Sequence, residues 1–115
     1  KMGAFAVLEK PGLEIVGMAA IRVLELEKEN RPEITYRLRT SAWGRGLATE
    51  AARAMLTYGF DSLHMEEIAV SITPDNSASI KVALKLGMTR TGSEMLLGKL
   101  AEIYRVKRGD FLSRP

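Results

Sequence analysis

Trp43-Gly44-Arg45-Gly46-Leu47-Ala48-Thr49-Glu50-Ala51 is the stretch whose reading decides the fold of this chain. Two glycines one residue apart follow an alternating segment and precede an alanine-rich one, which makes a strand–loop–helix junction. The first four or so N–H groups of a helix have no partner within it, and the aligned peptide dipoles add about half a positive charge at that end. Glycine lets the chain turn sharply there and lets a bulky phosphate approach without meeting a Cβ. The loop is therefore suited to an anion. Glycines also start helices for purely conformational reasons, so a second element is needed to say which anion.

Upstream of the loop, residues 33–39 alternate, with Ile34, Tyr36 and Leu38 on one face and Glu33, Thr35, Arg37 and Arg39 on the other. Before them, residues 4–9 and 15–26 read as strands joined by the turn Lys10-Pro11-Gly12, with a bulge expected near Gly17. The charged segment 27–32 reads as a solvated loop. Downstream, Leu47, Ala48, Ala51, Ala52, Met55, Leu56 and Phe60 form an apolar stripe that predicts a helix over 47–60 packed on a sheet. Residues 68–72 read as a buried strand, and Thr73-Pro74-Asp75-Asn76 as a loop into a second helix over 77–86 that Gly87 ends. Strands are expected at 88–97 and 102–107. The order β-β-β-α-β-α-β-β, without repeat or linker, predicts one α/β (α+β) domain over residues 1–115. Its sheet should be mixed and mostly antiparallel, with helices on its faces.

Composition narrows the function. At 115 residues the chain is long enough for one core, and 46% hydrophobic with 27% charged residues is the balance of a globular protein. No apolar run approaches the ~20 residues of a membrane span, so no membrane partner is expected. Cysteine is absent and there is one histidine, His64, expected on a surface turn; neither thiolate chemistry nor a metal site is anticipated. A reducing cytoplasm suits such a chain. The net charge of +3 is dispersed, and Arg105, Lys107, Arg108 and Arg114 fit the solvent face of a strand better than a nucleic-acid surface.

The second element lies at Asn76-Ser77-Ala78-Ser79-Ile80-Lys81-Val82-Ala83-Leu84-Lys85-Leu86-Gly87-Met88. Together with residues 43–51 it resembles the GNAT superfamily of acyl-CoA-dependent N-acyltransferases. The wording is nearest the branch that includes the ribosomal-protein N-terminal acetyltransferases. The resemblance covers residues 4 to about 112 and implies an acetyl-CoA-dependent N-acetyltransferase acting on a primary amine, either a protein N-terminus or a small molecule. An alternative is a CoA-binding module without turnover. By the same resemblance, backbone amides of Gly44, Arg45, Gly46, Leu47, Ala48 and Thr49 would grip the pyrophosphate of CoA. The strand end at Leu38, Arg39 and Thr40 would splay and pair with the pantetheine amides. Asn76 would hydrogen-bond the pantetheine arm, although Asn-x-x-Ser is also a helix cap. Trp43 would pack to hold the loop.

The implied chemistry is direct transfer. An amine must lose its proton, attack a thioester carbonyl and be aligned with it while the oxyanion is stabilised. The resemblance points to Glu33 as the base, with Glu94 and Glu102 as weaker candidates; otherwise Glu33 is an exposed strand residue. Many members carry a tyrosine seven residues after the asparagine, where this chain has Ala83. Ser79 is the expected substitute acid, with Tyr36 and Tyr104 as fallback donors that would otherwise be core aromatics. Members usually begin with a strand and one or two helices that build much of the acceptor pocket. Here the first elements resemble the second and third strands. Either the chain is truncated, or an acceptor-site wall is missing or supplied by a partner. The sheet edge left by a lost strand would favour a homodimer or aggregation.

Overall fold

Where side chains alternate, the chain builds a sheet, and where apolar residues recur at three and four, it lays helices on it. The computed structural model describes residues 3–9, 14–26, 28–38 and 46–112. Its strands are β1 (Gly3–Glu9), β2 (Glu14–Glu25), β3 (Asn30–Leu38), β4 (Glu67–Ile72), β5 (Thr89–Leu96) and β6 (Lys99–Lys107). Helix α1 (Leu47–Thr57) runs on into a wider π turn at Tyr58–Ser62, α2 (Ser77–Lys85) follows β4, and α3 (Arg108–Leu112) is a short terminal turn. The six strands form one sheet in the order β1-β2-β3-β4-β6-β5. Every pairing is antiparallel except β3 with β4, the pair that α1 connects. This is the expected element order and mixed sheet.

The helices sit over one face. Ala19 and Ile21 of β2, Ile34 and Tyr36 of β3, Ile68, Val70 and Ile72 of β4, and Tyr104 and Val106 of β6 pack there with Ala48, Ala52, Met55, Leu56 and Phe60 of the first helix and Val82, Ala83 and Leu86 from the second helical segment. Leu56 and Phe60 are wholly buried, each such side chain contributing about 1.5–3 kcal/mol by leaving water. At Gly59, in the π turn, a Cβ would stand 2.6 Å from the Cδ1 atoms of both Ile21 and Ile68, so any larger residue would force those buried side-chain ends to shift. The second helix ends as expected: the Gly87 amide donates to Leu84 O and the Met88 amide to Ala83 O, with Gly87 at φ 84°. The opposite face carries a small cluster of Ala69, Ala101 and Ile103, flanked by charged side chains.

One expectation is met in detail and two change. The bulge near Gly17 falls between the pairs Val7–Gly17 and Leu8–Ile15, where β2 has one residue more than β1. The β5–β6 hairpin is tighter than expected. Leu97 and Gly98 turn it at φ 51° and 80°, the two-residue geometry whose twist suits a hairpin, so β6 begins at Lys99. The segment 27–32 is not wholly a solvated loop. Strand β3 starts at Asn30, and Arg31 is 1% exposed because it stands mid-sheet on the same face as Glu33. Among the described residues no helix is long and apolar enough to cross a membrane.

Candidate functional site

The parallel ladder of β3 and β4 contains one register pair, Glu33 with Ala69, and beyond it the strands diverge. A helix must cross between parallel strands, and here α1 brings its N-terminus to the end of the sheet where they part. The divergence opens a cleft of about 280 Å³ lined by Thr35, Tyr36 and Arg37 of β3, Val70, Ser71 and Ile72 of β4, and Thr73, Asn76 and Ser79. The opening thus begins earlier than the expected Leu38. Leu38 closes β3, while Arg39 and Thr40 lie outside the described residues.

A second cleft, of about 290 Å³, lies between the helix starts and is lined by Gly46, Ala48, Thr49, Ser77, Ala78, Lys81, Val82 and Lys85. Gly46 caps α1 at φ 77° without any side-chain hydrogen bond to the helix. The helical ladder begins with the Glu50 amide on Gly46 O at 3.0 Å, so the amides of Leu47, Ala48 and Thr49 come before it. Among the described residues a Cβ built on Gly46 meets nothing within 4 Å, so the glycine serves its left-handed φ. Amide donors, a positive helix end and two lysines make a setting for a phosphate-bearing group. From sequence, Lys81 and Lys85 were given no role of their own. Gly44, Arg45 and Trp43 lie outside the described residues.

Both clefts border the first turn of α2, one at Ser77 and Ala78 and the other at Asn76 and Ser79. Asn76 is its N-cap, with Oδ1 accepting from the Ser79 amide at 3.1 Å. The capping alternative for Asn76 is therefore realised, while its side chain also borders the β3–β4 cleft. Ser79 is buried, and its carbonyl accepts a hydrogen bond from the Tyr36 hydroxyl at 3.2 Å. Burial pushes that phenol up to about 12. Tyr104 packs in the core and Ala83 is wholly buried.

Glu33 is not an exposed strand residue: it is 5% exposed. Arg31 Nε donates to its Oε2 at 2.8 Å, and Ser71 Oγ lies 3.0 Å from each of its carboxylate oxygens. The same guanidinium donates to Glu94 at 2.6 and 3.2 Å and approaches Glu29 at 3.4 Å. The bonds to Glu94, and after them the contact with Glu33, raise the pKa of Arg31, while the Arg31 bond lowers that of Glu94. Arg105 extends the network to Glu29 and Glu67. Glu94 is thus tied to the Glu33 side of the sheet. Glu102 pairs with Ile72 in register, on the helix-covered face, and bonds Arg90 and Ser93 instead. His64 is exposed on a turn at φ 56°. Sequence reasoning missed Arg31 and Ser71. The signal for Arg31 was its i, i+2 alternation with Glu33, hidden by taking Pro32 as loop.

A family model described as "Acetyltransferase (GNAT) domain" matches residues 1–89. The chain is 32% identical to the uncharacterized N-acetyltransferase p20 of Bacillus licheniformis, over 87% of this chain and 58% of that protein. Among solved structures, the ribosomal-protein-S5-alanine acetyltransferase of Vibrio fischeri superposes with a TM-score of 0.81 at 19% identity, covering 97% of this chain and 63% of that one. The aminoglycoside acetyltransferase AAC(6')-Ib in complex with coenzyme A superposes with a TM-score of 0.85 at 22% identity, covering 96% and 69%. At those identities the two structures show the fold alone. The chain spans a little over half the length of the curated relative it matches. The matched family model and the identity with p20 place this chain in the GNAT acetyltransferase family.

Proposed function

We propose that this chain is an acetyl-CoA-dependent N-acetyltransferase that moves an acetyl group directly to a primary amine. One observation carries the proposal: the divergence of β3 and β4 opens a cleft that adjoins the amide-rich start of α1 across the first turn of α2. A long donor would lay its anionic end in one cleft and its polar arm in the other. The Leu47, Ala48 and Thr49 amides, with Lys81 and Lys85, would hold the pyrophosphate. Backbone groups released along β3 and β4 would pair with the arm as an added strand does, and Asn76 would border it. The bound donor supplies an activated acetyl thioester.

Glu33 is the proposed base, since a carboxylate next to the opening can take the ammonium proton that blocks attack. Tyr36 and Ser79 border the same opening, and Ser79 is the proposed partner of the departing thiolate. The acceptor is a protein N-terminus or a small amine. A CoA-binding module without turnover is the second reading. It is favoured by the wholly buried Ala83, which offers no hydroxyl where many relatives carry a tyrosine.

Calorimetry with acetyl-CoA tests the first half. Gly46→Arg forces a side chain into a left-handed φ beside the cleft and should weaken binding at least about tenfold, roughly 1.4 kcal/mol. Absence of binding, or an unchanged affinity in the variant, refutes the site. Thiol release against a panel of amines and peptides tests the second half. Glu33→Gln should lower kcat about 10²–10⁴-fold with little change in acetyl-CoA affinity. Binding without release on any acceptor favours the silent module.

A further inference from the structure

We infer that the Ser71 hydroxyl belongs to the transfer site, as the group through which the buried Glu33 carboxylate draws a proton from an amine in the β3–β4 cleft. The inference rests on the proposed role of Glu33 as base. Glu33 is 5% exposed and is not among the described residues that line the cleft, whereas Ser71 lines it. Ser71 lies two residues beyond Ala69, the register partner of Glu33, so it is placed where the strands begin to part. Its Oγ is 3.0 Å from both Glu33 oxygens, and Arg31 Nε holds Oε2 from another side at 2.8 Å. The carboxylate is therefore oriented by two donors, and of these two Ser71 is the one that lines the cleft.

A serine hydroxyl donates one hydrogen bond while accepting others, so Ser71 can give its proton to Glu33 and offer a lone pair to an ammonium at the same time. In the step, an N–H bond of the ammonium breaks and its electron pair stays on nitrogen. A new O–H bond forms at Ser71 Oγ, the original Ser71 O–H bond breaks, and that proton passes to a Glu33 oxygen. Ammonium and carboxylate become amine and carboxylic acid, and the serine ends as it began. Nothing is oxidised or reduced.

The test compares Ser71→Val with Ser71→Thr, since the two differ by a hydroxyl for a methyl on β-branched side chains that strands accept. Each is assayed by thiol release with whichever of spermidine, an aminoglycoside or an N-terminal peptide gives the fastest wild-type rate. Ser71→Val should lower kcat about 10²–10³-fold, keep KM for acetyl-CoA within about threefold, and flatten the acidic-limb dependence of kcat on pH. Ser71→Thr should recover most of the rate. Far-UV circular dichroism and the melting temperature check that both fold, and if valine does not, Ser71→Ala takes its place. A normal kcat in Ser71→Val beside a depressed one in Glu33→Gln overturns the relay and leaves Glu33 as a direct base. A change confined to KM for acetyl-CoA also overturns it, making Ser71 cleft wall alone. If Glu33→Gln is itself silent, or no amine supports release, the base or enzyme reading fails and this inference with it.

Discussion

Replacing Arg31 with methionine should be among the most damaging single changes in this chain. Arg31 is 1% exposed, with Nε 2.8 Å from Glu33 and Nη1 2.6 Å from Glu94. Methionine fills similar length but leaves Glu33, itself 5% exposed, with only the Ser71 hydroxyl as a donor among the hydrogen bonds described here. Breaking a buried pair by removing one partner costs about 3–5 kcal/mol, because an uncompensated charge is left behind. The contacts to Glu94 and Glu29, whose side chains are 36% and 39% exposed, add at most about 1 kcal/mol after solvent screening. The expected loss is therefore about 3–5 kcal/mol, or roughly 10–20 °C in melting temperature for a domain of this size. Urea unfolding of wild type, Arg31→Met, Glu33→Gln and the double variant closes a cycle. In the Glu33→Gln background, where the buried charge is gone, Arg31→Met should cost at least about 1.5 kcal/mol less. A loss below about 1 kcal/mol in the single variant, or equal losses in both backgrounds, refutes the reasoning.

Gly59→Ala would gain about 1 kcal/mol of helix propensity yet drive a Cβ to 2.6 Å from Ile21 and Ile68, so a net loss of about 1–2 kcal/mol is expected by urea unfolding. Gly59→Ala with Ile21→Val should be less unstable than the sum of the two changes. Asn76→Ala removes the cap on Ser79 and should cost about 1 kcal/mol of stability; a role on the pantetheine arm predicts in addition a raised KM for acetyl-CoA, and an unchanged KM confines Asn76 to capping. Glu94 and Glu29 have pKa values lowered in the folded chain by hydrogen bonds from Arg31 and Arg105. A lowered carboxylate contributes stability above its unfolded pKa and loses it as pH falls through the folded value. The urea midpoint should therefore drop below about pH 4.5, and Glu94→Gln should make that drop shallower. An identical pH slope in Glu94→Gln would remove Glu94 as its source.

Much of the fold could be read along the chain because its signals are local. The alternation from Glu33 through Leu38 makes a strand whatever lies beside it, and the stripe from Ala48 to Phe60 makes a helix with one face to bury. Gly87 takes the φ that ends α2, and Gly46 takes the φ that starts α1. The Asn-x-x-Ser start of α2 was legible for the same reason, since the cap of Asn76 on the Ser79 amide is a contact between near neighbours. What could not be read was decided by the pairing of distant strands. Placing β6 between β4 and β5 sets Glu94 against Arg31, 63 residues away, and the parallel contact of β3 with β4 sets Ser71 against Glu33, 38 residues away. A charged residue on a strand looks solvated until its partners are known, since burial in a sheet depends on neighbours that alternation does not identify. By itself, then, the sequence determined the elements and their caps. Tertiary structure alone decided that Glu33 is buried, clamped by Arg31 and turned toward the cleft through Ser71, because only the assembled sheet brings those three side chains to one place.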